Sequence, residues 1–153
     1  MRKYIHYGHS RFMRELFQPI RNQEFFTKPM GGLWASPVDA DFGWKTWNDN
    51  EHFRECSEDN SFTFSLTDSA KVYRIYSVGD LKRLPEYKNY IVPGRWYCID
   101  FEKCVELGYD AIELHISEEE RIDDAEPFEC LYFRLYGWDC DSILIMNPDV
   151  VEV

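Results

Sequence analysis

The stretch DSILIMNPD, residues 141–149, decides more about the fold of this chain than any other segment. Its uninterrupted apolar run predicts a strand over residues 142–146, bounded by polar residues on both sides. Asn147, Pro148 and Asp149 then predict a turn, because these residue types favour turn conformations. The C-terminal part of the chain therefore holds a short apolar strand, and earlier segments have to supply the strands around it.

Further strands are predicted outward from this segment. Residues 31–37 begin at two glycines and end at Pro37, so the backbone there is able to approach a ligand closely. Residues 62–66 alternate apolar and polar side chains, which is typical of a half-buried strand, and residues 109–116 predict a strand with Ile112, Leu114 and Ile116 on one face. The remaining predicted strands are residues 3–7, 71–76 and 130–136.

The predicted helices are short and lie mostly in the first part of the chain. Asp39 is expected to cap a helix that carries Trp44 and Trp47 on one face, where core packing is the default role for both indoles. Ser77 and Asp100 are expected to cap two more helices. With strands dominating the second half, the pattern predicts an α+β fold. We find no repeat or linker, so residues 1–153 are expected to form a single domain.

Composition and charge exclude several classes of protein. The formal net charge is -11, which argues against nucleic acid as a partner because the phosphate backbone would be repelled. No apolar run approaches the roughly 20 residues of a membrane-spanning helix, and the N-terminus lacks the apolar stretch of a secretion signal. The five cysteines form no CxxC pair and no zinc-ligand spacing. Free thiols, a cytoplasmic location, no metal and no membrane are expected.

Two polar features of the second half have competing interpretations. Glu113 and His115 alternate along a predicted strand and should point the same way, as a functional pair or as a solvent-facing pair of little energetic value. Residues 117–127 are rich in acids and have no apolar period, which predicts a solvated loop or else a docking surface. The acids are Glu118, Glu119, Glu120, Asp123, Asp124 and Glu126.

The common nucleotide, metal and hydrolase fingerprints are absent, and a distributed signature is present instead. Residues 4–8 read YIHYG, residues 32–36 read GLWAS, and residues 141–151 read DSILIMNPDVV. In that order, these segments resemble the three motif strands of the ADP-ribosyltransferase superfamily, in its diphtheria-toxin-like and poly(ADP-ribose) polymerase-like branch. The last segment also resembles small phage-encoded members. The resemblance implies mixed sheets that form a central cleft, with short flanking helices.

The resemblance also implies a set of residues that bind NAD. His6 or Tyr7 would hold the ribose, the backbone of Gly8 would pair with the carboxamide, and Trp34 would stack on the nicotinamide. Ser36 and Ser142 complete the set of implied cofactor-binding residues.

Two acids compete for the catalytic position. Enzymes of this branch place a glutamate at the start of the last motif strand, where this chain has Ser142, preceded by Asp141. Because adjacent strand residues point to opposite faces, Asp141 reaches the cleft only if a bulge re-aims it. Glu113 is the alternative, since some small phage transferases carry their acid near the end of the equivalent strand.

The function implied by the resemblance is NAD-dependent transfer of ADP-ribose to a macromolecular target, a protein in preference to nucleic acid, with release of nicotinamide. One alternative is a catalytically silent domain of this fold, or an acidic inhibitor, which binds a basic partner surface and would suit a phage anti-defence role. A weaker alternative is an RNA 2'-phosphotransferase, which shares the fold and uses NAD, but which needs more basic residues than this chain supplies.

Overall fold

Seven strands form one mixed sheet in the part of the chain that the computed structural model describes, residues 1–23, 26–87, 98–119, 130–135 and 137–153. The strands are β1 Tyr4–Tyr7, β2 Leu33–Pro37, β3 Ser61–Leu66, β4 Val72–Ile75, β5 Ala111–Leu114, β6 Ser142–Ile145 and β7 Val151–Glu152. The α-helices are α1 Trp44–Glu51, α2 Val78–Lys82, α3 Phe101–Glu106 and α4 Leu131–Arg134. Short 3-10 turns cover Arg14–Leu16, Glu58–Asn60 and Pro148–Val150. The α+β class predicted from the sequence is confirmed.

The three motif segments occupy neighbouring strands. The strand order is β4-β5-β6-β2-β1-β3-β7, so that β2 lies between β6 and β1. Every pairing of described strands is antiparallel except that of β4 with β5. Leu33 pairs with Ile145, and Ile5 pairs with Ser36. The first, second and last motif segments are therefore brought side by side in one sheet.

The apolar run of β6 is explained by burial on both faces. Ile143 and Ile145 pack into one core with Tyr4 and Ala35. Leu144 packs into the other core, which contains Trp138 and is bordered by Trp34. Side chains alternate across a strand, so a strand between two cores needs apolar residues at successive positions.

Two glycines allow the chain to turn into β2. Gly31 and Gly32 have φ of +81° and +73°, a region that side-chain-bearing residues rarely adopt. A Cβ on Gly31 would lie 2.2 Å from the carbonyl oxygen of Pro19, and a Cβ on Gly32 would lie 2.7 Å from Leu144 Cδ1. The glycines are thus required by backbone conformation and by close packing against β6.

Helix α1 begins later than predicted. Its N-cap is Gly43, and Asp39 is exposed and precedes the helix. Gly43 has no side chain to accept from the first helical N–H groups, and Ser36 Oγ accepts from the Trp44 N–H at 2.9 Å instead. The prediction that Asp39 caps this helix is wrong, because a serine of β2 supplies that oxygen from across the fold.

Residues 130–136 were predicted to form a strand, and this prediction is wrong. Leu131–Arg134 forms the short helix α4, whose Leu131 backbone N–H donates to the Glu119 carboxylate at 3.0 Å. Leu131 and Leu135 are both buried, one helical turn apart. The predicted caps at Ser77 and Asp100 are confirmed, since each side chain accepts from a backbone N–H of its helix.

Part of the acidic segment lies outside the described residues, which resume at Cys130 after Glu119. Of its described acids, Glu119 accepts from the first N–H of α4, whereas Glu118 is exposed. None of the described helices has the length and apolarity needed to cross a membrane.

Candidate functional site

A cleft of about 640 Å³ opens beside the three motif strands. We call it the tryptophan cleft, because Trp34, Trp44, Trp47 and Trp138 line it. Its volume falls within the roughly 300–1,000 Å³ range of small-molecule sites. Its other lining side chains include Tyr7, Lys28, Ser36, Arg54, Asp139 and Ser142.

The rings form two groups on the walls of the tryptophan cleft. Trp34 of β2 meets Trp138 edge to face, with ring centroids 4.8 Å apart. Trp44 and Trp47, three residues apart on α1, stack at 5.3 Å, and Phe53 packs against Trp47. Trp44 and Trp47 are only half-buried. Core packing, the default interpretation of these two indoles, is therefore wrong, since both line a cleft.

Three charged side chains line the tryptophan cleft in a chain of strongly negative net charge. Burial lowers the pKa of Lys28, although Asp139 acts in the opposite direction. Burial raises the pKa of Asp139, opposed by Lys28. Arg54 lies at the rim, with its guanidinium carbon 5.2 Å from the centroid of the Phe53 ring. The cleft thus combines two cations with one acid among the described residues that line it.

His6 and Tyr7 both border the tryptophan cleft. His6 Nδ1 lies 2.7 Å from the carbonyl oxygen of Trp34. A carbonyl only accepts, so Nδ1 carries the proton, and in neutral His6 the Nε2 atom accepts from His9 Nδ1 at 3.2 Å. Burial lowers the pKa of His6. Both ring nitrogens of His6 are therefore engaged, and Tyr7 is the better placed of the two to contact a ligand.

Gly8 does not line the tryptophan cleft. It has φ of +123°, and its N–H donates to the carbonyl oxygen of Asn60 at 2.9 Å. The backbone N–H expected to pair with a carboxamide is thus already used between β1 and the turn before β3.

Ser36 and Ser142 line the floor of the tryptophan cleft and are almost fully buried. Ser36 Oγ holds the first turn of α1, and Ser142 Oγ donates to the carbonyl oxygen of Cys140 at 3.1 Å. Ser142, which the resemblance aligns with a glutamate, thus faces the cleft. No carboxylate replaces it at that point of β6.

Asp141 was predicted as a catalytic acid, and its side chain does not line the tryptophan cleft. Ser142 faces the cleft, and the preceding residue turns its side chain away, to the loop after β5. There Asp141 is buried and accepts from the backbone N–H of Ser117 at 3.0 Å and from the Ser117 hydroxyl. Its position supports a structural role and does not support the predicted catalysis in this cleft.

Glu113, the alternative acid, also lies outside the tryptophan cleft. It pairs across the sheet with Ile143, which packs into the core on the other face of β6. The Tyr4 hydroxyl and the Arg2 guanidinium donate to its carboxylate at 2.6 Å and 2.7 Å. His115 Nε2 lies 2.8 Å from its Oε1. The sequence correctly predicts that Glu113 and His115 point the same way, but both are buried, and a solvent-facing pair is excluded.

Sequence reasoning missed three charged residues of the site, Lys28, Arg54 and Asp139. Lys28 and Arg54 lie in segments without apolar periodicity, which gave no reason to single them out. Asp139 has a recognisable signal, since it follows Gly137-Trp138 just before β6, and its φ is +67°. This left-handed conformation interrupts the alternation of side chains expected for an extended chain. A turn of this kind, not a bulge in β6, brings an acid into the cleft.

No protein-family model, curated protein or solved structure significantly matches this chain.

Proposed function

We propose that this chain is an NAD-dependent ADP-ribosyltransferase that modifies a protein target and releases nicotinamide. One observation carries the proposal. The three segments that resemble the motif strands of that superfamily are neighbours in the sheet, and Tyr7, Trp34 and Ser142, one from each, line the same cleft. A central cleft at the meeting point of these strands is what the resemblance implies.

The chemical character of the tryptophan cleft fits the parts of NAD. Its indoles offer flat apolar surfaces for the two ring systems of the dinucleotide. Arg54 at the rim offers the bidentate donor geometry that suits a pyrophosphate. The net charge of the chain would repel an anion. Charges farther from the anion than the screening length of roughly 8–10 Å are largely screened by salt, however, so a cation in the cleft has the stronger effect.

Asp139 is the acid that we assign to the reaction. NAD supplies an ADP-ribosyl group whose bond to the cationic nicotinamide ring is already weakened. As that bond breaks, nicotinamide leaves as a neutral molecule with the bonding electrons, and positive charge develops on the ribose. A partly desolvated carboxylate such as Asp139 stabilises that charge and is able to take the proton of the attacking acceptor group.

Nicotinamide release tests this function. Purified protein is incubated with NAD and a cytosolic protein fraction, nicotinamide is measured by chromatography, and modified proteins are detected by the added mass of ADP-ribose. We expect Asp139→Asn to lower the rate by about 10²–10³, the usual cost of losing one electrostatic partner of a transition state. Asparagine also tolerates the left-handed backbone at this position, so the fold should be kept.

Asp141→Asn is the matched control, since it makes the same chemical change two residues away and outside the cleft. Its rate of nicotinamide release, divided by the concentration of folded protein, should remain close to that of wild type. The proposal fails if wild-type protein releases no nicotinamide, and the assignment of Asp139 fails if the control is the inactive variant.

A catalytically silent domain of the same fold is the second candidate, favoured by Ser142 at the usual acid position and by the structural roles of Asp141 and Glu113. It predicts that NAD binds in the tryptophan cleft without any release of nicotinamide, in wild type and variants alike. The same assay, combined with a binding measurement, separates the two candidates.

A further inference from the structure

The ammonium group of Lys28 lies against two indoles of the tryptophan cleft. Its Nζ is 4.9 Å from the centroid of the Trp34 ring and 5.5 Å from that of Trp44. Both distances fall within the roughly 6 Å over which a cation is attracted to the face of an aromatic ring. Trp34 belongs to β2 and Trp44 to the first turn of α1, so two separate elements converge on one positive charge.

The surroundings of this ammonium form a site for a cation. Asp139 attracts it electrostatically, whereas Arg54 repels it. Lys28 is half-buried, so its charge is partly removed from water. The attraction between a cation and a ring is stronger when the cation is desolvated. The long, flexible stem of lysine allows the ammonium to leave such a position without any change in the backbone.

We propose that Trp34 and Trp44 form a cation-selective ring site, which Lys28 fills in the free protein and leaves when a positively charged ring binds. In the proposed function, on which this inference rests, that ring is the nicotinamide of oxidised NAD. The reduced dinucleotide has the same pyrophosphate and almost the same shape, but its nicotinamide ring is neutral. The site therefore selects the charged form of the dinucleotide over the neutral form.

Calorimetric titration with two pairs of probes tests the charge preference. NAD and NADH differ in ring charge within one nucleotide, and N-methylnicotinamide (methylated on the ring nitrogen) and nicotinamide differ in charge as small molecules. Since both nucleotides carry the same pyrophosphate, the ratio of their affinities isolates the ring charge. We expect the cationic member of each pair to bind about 3- to 30-fold more tightly, the range of one desolvated cation–ring contact.

Three variants assign the preference to named side chains. Trp44→Leu should lower the ratio about threefold or more, because one of the two ring faces is lost. Lys28→Met should raise the ratio severalfold, because a like charge no longer remains near the bound cation. Trp47→Phe is the matched control on the same helix: position 47 also lines the tryptophan cleft, an aromatic ring is kept against Trp44, and Lys28 does not lie over this ring, so the ratio should stay within about twofold of wild type.

The outcomes separate this inference from the proposed function. Equal affinities for the charged and neutral member of both pairs overturn the inference, even if NAD binds and is turned over. So does a ratio that falls as far in Trp47→Phe as in Trp44→Leu. Tight binding of N-methylnicotinamide without any binding of NAD supports the cation site and rejects the proposed function. Absence of binding by all four probes overturns both.

Discussion

At the scale of single residues, Glu113 shows how a fully buried carboxylate keeps its charge. Burial alone would raise its pKa, but hydrogen bonds from His115 and Tyr4 and the charges of His115 and Arg74 lower it below its usual range. Burial, together with the hydrogen bond to Glu113 and the negative charge of Glu113, raises the pKa of Tyr4, and Arg74 acts in the opposite direction. The cluster joins β1, β4 and β5 through Tyr4, Arg74 and Glu113.

We expect Glu113→Gln to destabilise the protein by about 2–4 kcal/mol at pH 7, because it removes a charge on which buried donors depend. The pH dependence follows from the lowered pKa. Glu113 binds a proton more readily in the unfolded state, so its contribution is fully present above the unfolded pKa of about 4.3 and is lost as the pH falls through the lower folded value. Urea unfolding of both proteins from pH 7 to pH 3 should show the difference shrinking toward acid.

Glu118→Gln serves as the control for this change. Its carboxylate is exposed and lies 3.8 Å from His115, and substitutions at such positions usually alter stability by less than about 0.5 kcal/mol. A loss in Glu118→Gln as large as that in Glu113→Gln, or a difference that grows toward acid, would contradict the account of the cluster.

At the scale of elements, the turn into β2 sets where that strand begins. Gly31 combines a left-handed backbone with a Cβ position that overlaps the Pro19 carbonyl. Gly31→Ala should therefore cost about 3 kcal/mol or more, since strain of about 1–2 kcal/mol adds to a backbone clash that no side-chain rotation relieves. Thermal unfolding of the variant measures the loss.

Gly79→Ala makes the same substitution where the structure predicts the opposite sign. Gly79 lies within α2, and its Cβ would meet only Ser77 Oγ, at the ordinary contact distance of 3.5 Å. Alanine is the better helix former by about 0.5–1 kcal/mol, so this variant should be more stable than wild type. Destabilisation in both variants would contradict the different roles of these two glycines.

The same elements show how far the sequence alone leads. The apolar run of β6 and the alternation in β3 predict these strands, because burial of both faces requires successive apolar residues and burial of one face requires alternate ones. For residues 130–136 the sequence predicts a strand, because aromatic residues favour strands. The helical spacing of Leu131 and Leu135 becomes evident only from their burial in the core. The start of α1 depends on Ser36, which is distant in sequence, and local capping rules do not detect it.

The candidate site was predictable only in part, for a related reason. The positions of Tyr7, Trp34, Ser36 and Ser142 follow from strands that the sequence identifies, and all of them line the tryptophan cleft. Asp141 and Asp139 differ by two residues, but Asp139 is directed by a single left-handed turn before the strand begins. Strand alternation does not predict the orientation of a side chain in such a turn. The position of Asp139 in the cleft was therefore found only in the structure.

At the scale of the whole molecule, the sheet divides the interior into two cores, and the tryptophan cleft lies beside the core that contains Trp138. The carboxylates of Glu113 and Asp141 stabilise the fold outside the cleft. The cleft itself contains two cations, Lys28 and Arg54, although the net charge of the chain is -11. A cleft with this composition suits a ligand with flat rings and an anionic centre, and NAD is the ligand that we propose.

Calorimetric titration of NAD into wild type, Arg54→Glu and Lys3→Glu tests whether NAD binds in the tryptophan cleft. Both variants change the charge equally at exposed positions, but only Arg54 lines the tryptophan cleft. We predict one NAD per chain in wild type, with a dissociation constant in the range of about 1 µM to 1 mM usual for enzyme substrates. Affinity should fall about tenfold or more in Arg54→Glu, through loss of a charged hydrogen bond, and change less than about twofold in Lys3→Glu. Absence of binding in wild type, or equal weakening in the two variants, would contradict the account.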